Sequence, residues 1–306
     1  MSHPTLNYVP CPDAQGSHRM AYWAWGDPTA AHVLVCVHGL ARQGRDFDVL
    51  ASDFVARAPH PVRIICPDVV GRGQSDWLSD PQGYQIPTYA ADMLTLLAHL
   101  QAQAPIQALD WLGTSMGGLI GLVMAGQAGL PLPVPVRRLV INDVGPVIEW
   151  SALQRIGAYL GQPVRFADEA QAAAGLWLIS SSFGPHTPEQ WLALTRPMLK
   201  PLPDGGLGLH YDPAIAVPFR SLTQAAAQAG EAALWQLYDH IQAQTLLLRG
   251  ADSDLLSVET AAAMAQRGPR AQVVEWPGVG HAPTLVAQAQ RDTLFGFYFG
   301  PEALVS

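Results

Sequence analysis

The run Gly113-Thr114-Ser115-Met116-Gly117 constrains this chain more than any other feature, because a G-x-S-x-G run is useful only in one backbone setting. Ile106–Gly113 reads as an apolar strand and Met116–Gln127 as a helix, which puts Ser115 in the turn between them. A strand-to-helix turn this sharp holds its central residue in a strained conformation. Glycines two residues to either side remove the side chains that would collide. The serine oxygen is then exposed at a helix N-terminus, where free amides and the helix dipole favour developing negative charge. Ser115 is therefore the candidate nucleophile.

The flanking sequence has a β-then-α rhythm. Met20–Trp25, His32–His38, Arg63–Asp68, Ile106–Gly113 and Arg138–Asp143 read as strands. The continuous apolar runs among them are those of central strands covered on both faces. Tyr89–Gln103 has helical spacing, with Ala90, Met93, Leu94, Leu97 and Leu100 on one face. From Gly145 to about Ala227 the rhythm stops. That segment is helix-like but irregular, punctuated by Pro163, Pro185, Pro188, Pro197, Pro201 and Pro203, and it carries Trp150, Trp177 and Trp191. The rhythm resumes with a strand at Thr245–Arg249, a helix at Val258–Gln266, a strand at Gln272–Trp276 and a last helix near Leu285–Phe299. This pattern predicts an α/β core at 1–144 and 228–306, a mostly parallel sheet with helices on both faces, and a helical insertion at 145–227 packed over it.

Composition narrows the function classes. A net charge of −8 with no basic cluster argues against a nucleic-acid surface. Lys200 is the only lysine, a poor basis for Schiff-base or pyridoxal-phosphate chemistry. The best candidate for a membrane span, Ile106–Gly126, is broken by Asp110 and glycines, so no spanning helix is expected. Met1–Pro12 lacks the basic-then-apolar pattern of a secretory signal. Cys11, Cys36 and Cys66 have no disulfide or metal-ligand spacing, and buried thiols in a reducing cytoplasm are expected.

Acyl transfer at Ser115 needs a base and two oxyanion donors. The donors are expected to be the backbone N–H of Met116 and that of Leu40, in the His38-Gly39-Leu40 loop after a central strand. His38 is expected to shape this loop by hydrogen bonding rather than act as base. The base is expected to be His281, in Gly278-Val279-Gly280-His281-Ala282-Pro283 after the last strand, where glycines allow a turn that delivers an imidazole to the sheet edge. His186, His210 and His240 read as surface or insertion residues.

These motifs in this order, together with Asp68-Val69-Val70-Gly71-Arg72-Gly73-Gln74-Ser75, make the chain resemble the α/β-hydrolase fold family. The resemblance covers nearly everything outside 145–227. It implies an eight-stranded, mostly parallel sheet with a cap inserted between strands six and seven. It also implies that the Asp68–Ser75 segment is a structural turn and not a phosphate loop. The acid of the triad stays open. The family most often places it three residues after a glycine past strand seven. Here that glycine is Gly250 and the third residue is Ser253, flanked by Asp252 and Asp254. A subset places it after strand six in a D-[IV]-x-P setting, which Asp143-Val144-Gly145-Pro146 matches. Asp110 lies inside a strand ahead of the nucleophile and is not assigned to the triad.

The resulting expectation is a cytoplasmic serine hydrolase that cleaves a small or medium apolar ester, thioester or lactone through an acyl-enzyme. It needs no metal or organic cofactor, and a homodimer is compatible with the sequence. Two alternatives stand beside it. One is hydrolysis of a carbon–carbon bond in a ring-cleavage product, for which Arg42, Arg155, Arg165 or Arg196 would bind a substrate carboxylate. The other is a non-enzymatic ligand-binding receptor on the same fold.

Overall fold

A computed structural model describes residues 3–300. In chain order the core opens with β1 (Thr5–Asp13), β2 (Gly16–Gly26), β3 (His32–Val37), α1 (Asp48–Arg57), β4 (Arg63–Pro67), α2 (Ile86–Gln103), β5 (Ala108–Thr114), α3 (Met116–Gly126) and β6 (Val136–Asn142). Then follow α4 (Trp150–Tyr159), α5 (Glu169–Ser180), α6 (Pro188–Thr195), a hairpin of β7 (Leu199–Pro201) and β8 (Leu207–Leu209), and α7 (Ala216–Arg220). The chain closes with α8 (Gln224–His240), β9 (Gln244–Gly250), α9 (Val258–Met264), β10 (Gln272–Trp276) and α10 (Gln288–Phe299). One 8-stranded sheet runs in the order β1-β2-β4-β3-β5-β6-β9-β10. β2 pairs antiparallel with β1 and β4, and all other pairs in that sheet are parallel.

The central strand β3 is buried at every position because each of its faces meets helices. On β3, Val33, Val35 and Val37 join the core beneath α2, α3 and α8, while Leu34 and Cys36 join the core beneath α1 and α10. Each such side chain, fully buried, contributes about 1.5–3 kcal/mol. On α2 the buried face comprises Ala90, Met93, Leu96, Leu97 and Leu100. Leu94 packs partly buried against the same core, and Leu96, which the sequence pattern leaves out, is fully buried in it. Pro105 follows α2 and disfavours helical geometry at Ala104, which is extended.

Four features are not predicted by the sequence pattern: β1, α1, α8 and the β7–β8 hairpin. β1 was missed because its residues are mostly exposed: it is an edge strand with one inward row, Val9 and Cys11. α1 was missed as well, and Leu50, Ala51 and Phe54 form its buried face. The β7–β8 hairpin is too short for a periodic signal. The helix α8 starts at Gln224 and packs on α3. Gly126 permits this approach, since a Cβ there would lie 2.1 Å from the Leu237 carbonyl oxygen.

Between β6 and α8 the helices start at side-chain caps. Asp168 accepts from the Gln171 amide, and Thr187 and Gln190 form a reciprocal capping box. A small apolar cluster of Leu176, Trp191, Leu194 and Met198 packs this segment together. All three thiols are free and buried. Asp110 sits between neighbouring strands, accepting from His32 on β3 and from Arg137 on β6. Among the described residues, no helix is long and apolar enough to cross a membrane.

Candidate active site

Ser115 stands between β5 and α3 with φ 52° and ψ −114°. A non-glycine residue in this region costs about 1–3 kcal/mol, which the surroundings must supply. They do so through Ser115 N–H, which donates to Asn142 O on β6 at 2.9 Å, and Ser115 O, which accepts from Gly118 N at 2.8 Å. The flanking glycines are required sterically. A Cβ on Gly113 would fall 2.1 Å from Gly117 O, and one on Gly117 would fall 2.0 Å from Val37 O.

Three residues far apart in sequence meet here. His281, in the loop between β10 and α10, has Nε2 2.8 Å from Ser115 Oγ. Its Nδ1 lies 2.8 Å from Asp143 Oδ2, at the end of β6. Asp143 is fully buried, and three donors hold its charge. Oδ2 accepts from His281 and from Ser253 Oγ at 2.6 Å, and Oδ1 accepts from Gly250 N–H at 2.8 Å. A carboxylate can only accept, so Nδ1 carries the imidazole proton and the Nε2 lone pair faces the serine hydroxyl.

The other candidate acids lie elsewhere. Asp254 is exposed and pairs with Arg155 through both Nε and Nη2. Asp252 is also exposed, and its backbone N–H donates to Val279 O. Ser253, three residues past Gly250, stands where the family commonly has its acid. In the fold its hydroxyl donates to Asp143, at the end of the neighbouring strand β6.

The loop after β3 lies against the serine, since a Cβ on Gly39 would be 3.6 Å from Ser115 Cβ. His38 is buried and fully used. Nδ1–H donates to Gly39 O at 2.7 Å, and Nε2 accepts from Val69 N–H at 2.9 Å. Burial pushes its pKa down to about 3, against the pull of the Gly39 carbonyl and with help from Arg72 and Arg42. A neutral imidazole with both nitrogens engaged holds the Gly39–Leu40 peptide and has no lone pair for Ser115. Because that peptide is planar, fixing the Gly39 carbonyl also fixes the Leu40 N–H on its opposite edge. Arg72, which the sequence reading left inside a structural turn, donates Nε–H to Leu40 O at 2.8 Å.

Ser115 and His281 open onto a cavity of about 330 Å³ lined largely by apolar side chains, among them Leu40, Ile156, Leu176 and Met198. Arg42 and Arg155 also reach it, whereas Arg165 and Arg196 pair with Asp204 and Glu169 on the outside. The segment between β6 and α8 grips the His281 loop on both sides. Gly280 N–H donates to Ser182 O at 2.5 Å. Thr284 Oγ1 donates to His186 Nε2 at 2.7 Å, while His186 Nδ1–H donates to Gly184 O at 2.8 Å. One grouping of metal-ligand types occurs among the described residues, Cys11, His18 and Asp92, and it lies at the β1–β2 hairpin and α2, away from this cavity. Cys11 faces His18 directly across the hairpin, and His18 is already hydrogen-bonded to Asp13 and Asp92.

Comparison with known proteins agrees with this architecture. A 3-hydroxybutyrate-oligomer hydrolase of Cupriavidus necator is 53% identical over 300 residues, covering 97% of this chain and 98% of that protein. The crystal structure of an alpha/beta hydrolase from Novosphingobium aromaticivorans is 33% identical, with a TM-score of 0.79 over 96% of this chain and 97% of that one. A solved structure from Rickettsia typhi is 28% identical, with a TM-score of 0.82 over 96% and 97% of the two chains. The model of the alpha/beta hydrolase family matches residues 34–293, from β3 into α10, and this chain is a member of that family and a hydrolase.

Proposed function

We propose that this hydrolase cleaves carboxylic esters through a serine acyl-enzyme, and that its substrates are short linear oligomers of 3-hydroxybutyrate. The observation that carries the reading is the unbroken hydrogen-bonded series Ser115–His281–Asp143 facing an apolar cavity. The substrate class follows the relative from Cupriavidus necator, whose name states that activity. A chain of methyl-bearing ester units with few polar groups suits such a cavity.

Ser115 Oγ attacks the ester carbonyl as His281 Nε2 takes its proton. The N–H groups of Leu40 and Met116 hold the tetrahedral oxyanion. The imidazolium, kept in register by Asp143, gives its proton to the departing alkoxide as the C–O bond breaks. Water then loses a proton to His281, attacks the acyl-serine and releases the free acid, and Ser115 regains its proton. Residues 145–227 act as a cap that walls the cavity. Three buried, unpaired thiols suit a cytoplasmic protein.

The test uses purified 3-hydroxybutyrate dimer and trimer, with release of monomer as readout. Wild type should cleave both, and Ser115→Ala neither. A fluorophosphonate should label Ser115. No labelling of the folded protein would leave the receptor reading in place, while labelling without turnover of any ester would favour carbon–carbon cleavage.

A further inference from the structure

Arg72 is fully buried, and a buried guanidinium keeps its charge. The other buried arginines, Arg63, Arg138 and Arg249, show what such a charge normally requires: Arg138 donates to Gln244 Oε1 and to Tyr298 O in the last turn of α10, where the helix dipole is negative. Arg249 donates to the Glu275 carboxylate. Arg63 donates to Leu100 O and Ala104 O at the C-terminal end of α2, where the helix dipole is negative. Arg72 has neither. Its Nε donates to Leu40 O at 2.8 Å, and its Nη1 donates to Val70 O at 2.7 Å and to Tyr89 Oη at 3.0 Å. Its Nη2 stands 3.6 Å from Met116 Sδ. Its guanidinium carbon lies 5.0 Å from the Tyr89 ring centroid and 5.7 Å from that of Tyr84. Among the described residues no carboxylate reaches it, and Asp212, the acid beyond Tyr84, is engaged by the Tyr84 hydroxyl at 2.5 Å.

The position of this unneutralised charge matters. Its two non-aromatic contacts outside its own turn are Leu40 and Met116, the residues whose amides face the oxyanion in the mechanism above. A cation in a dry interior acts over longer range than one in water, and it favours any step that creates negative charge nearby. The geometry points to Arg72 as a positioning residue that both fixes the Leu40 loop and, through its charge, stabilises the tetrahedral anion over the neutral ester. This rests on the acyl-enzyme reading. Leu40 O is where the two roles meet: the bond that sets the loop also brings the charge up behind the oxyanion donors.

Two substitutions separate charge from scaffold. Arg72→Lys keeps the charge and loses most of the hydrogen bonds; Arg72→Gln keeps amide donors and loses the charge. The measurements are kcat and KM on p-nitrophenyl butyrate, and Ki for butylboronic acid, whose boron binds Ser115 Oγ to form a tetrahedral anion. Arg72→Gln should lower kcat and weaken boronate binding together, each by about 10- to 100-fold, with KM changing less than about twofold. Arg72→Lys should retain most of both. Equal damage in the two variants, or a boronate Ki unmoved in Arg72→Gln, would overturn the proposal. If Arg72→Gln does not fold, Arg72→Lys decides alone: retained boronate affinity supports the charge role and its loss refutes it. Failure of the underlying reading would look different, because Ser115→Ala would then bind the boronate as tightly as wild type.

Discussion

Replacing Asp143 with asparagine is the most informative single change to the site. The carboxylate accepts three hydrogen bonds, from His281 Nδ1–H, Ser253 Oγ–H and Gly250 N–H. An amide of the same shape cannot accept all three. With its NH₂ toward His281, two donors face each other, the imidazole must move its proton to Nε2, and the lone pair that should receive the serine proton is gone. With its oxygen toward His281, the NH₂ confronts Gly250 N–H, and a buried amide loses its acceptor at a cost of about 1–3 kcal/mol. The first arrangement lowers kcat by about 10,000-fold, equivalent to about 5 kcal/mol of transition-state stabilisation. The second lowers stability and moves the loop carrying Gly250. Steady-state turnover of p-nitrophenyl butyrate and urea unfolding, measured on the same preparations, distinguish them. Asp254→Asn is the control: its partner is Arg155 at the exposed cavity mouth, so kcat should stay within about threefold of wild type. A loss in Asp254→Asn comparable to that in Asp143→Asn would refute the assignment of the acid.

Three further outcomes follow from the same geometry. Ser253→Ala removes a donor to a buried carboxylate and should cost about 1.5–3 kcal/mol in urea unfolding, with a smaller kinetic loss than Asp143→Asn; unchanged stability would show that the hydroxyl does not hold the charge. Thr284→Val breaks the bond to His186 beside the His281 loop and should lower kcat about tenfold with KM little changed, whereas a pure KM effect would mean that Thr284 only contacts substrate. Burial opposes charge on His18, but Asp92 and then Asp13 outweigh it and raise its pKa above the usual histidine value. That contribution to stability is fully present below the ordinary histidine range and is lost as pH rises through the raised folded value. Unfolding curves from pH 5 to 9 should therefore fall more steeply at the alkaline end for wild type than for His18→Gln; parallel curves would remove His18 from the account.

The strands legible in the sequence were the central ones. β3 is apolar from Val33 to Val37 and β6 from Leu139 to Ile141, because helices cover both faces, and that composition survives without knowledge of any neighbour. β1 was not legible, because an exposed edge strand needs only one inward row and its pattern resembles a loop. The turn at Ser115 was legible because its requirements are local: a Cβ at Gly113 or Gly117 collides within a few residues or with the adjacent strand. His281 was legible from its glycine-rich turn and its place after the last strand.

Which carboxylate meets His281 could not be decided by sequence. Asp143 and Asp254 both follow strands that end at the same edge of the sheet, so both satisfy chain order. Which one meets His281 depends on the path of the loop after β9. That path is set by Gly250 N–H and Ser253 Oγ closing on Asp143, and by Arg155 on α4 pairing with Asp254. Arg72 was hidden for the same reason, since nothing in Asp68–Ser75 announces that its side chain will lie behind Leu40 and Met116. Sequence determined what short-range sterics and two-faced burial dictate: the sheet, the turn at Ser115 and the delivery of His281. Tertiary structure decided the partnerships of charged groups, because burial removes the water that would otherwise satisfy them and leaves each to whichever neighbour the fold supplies.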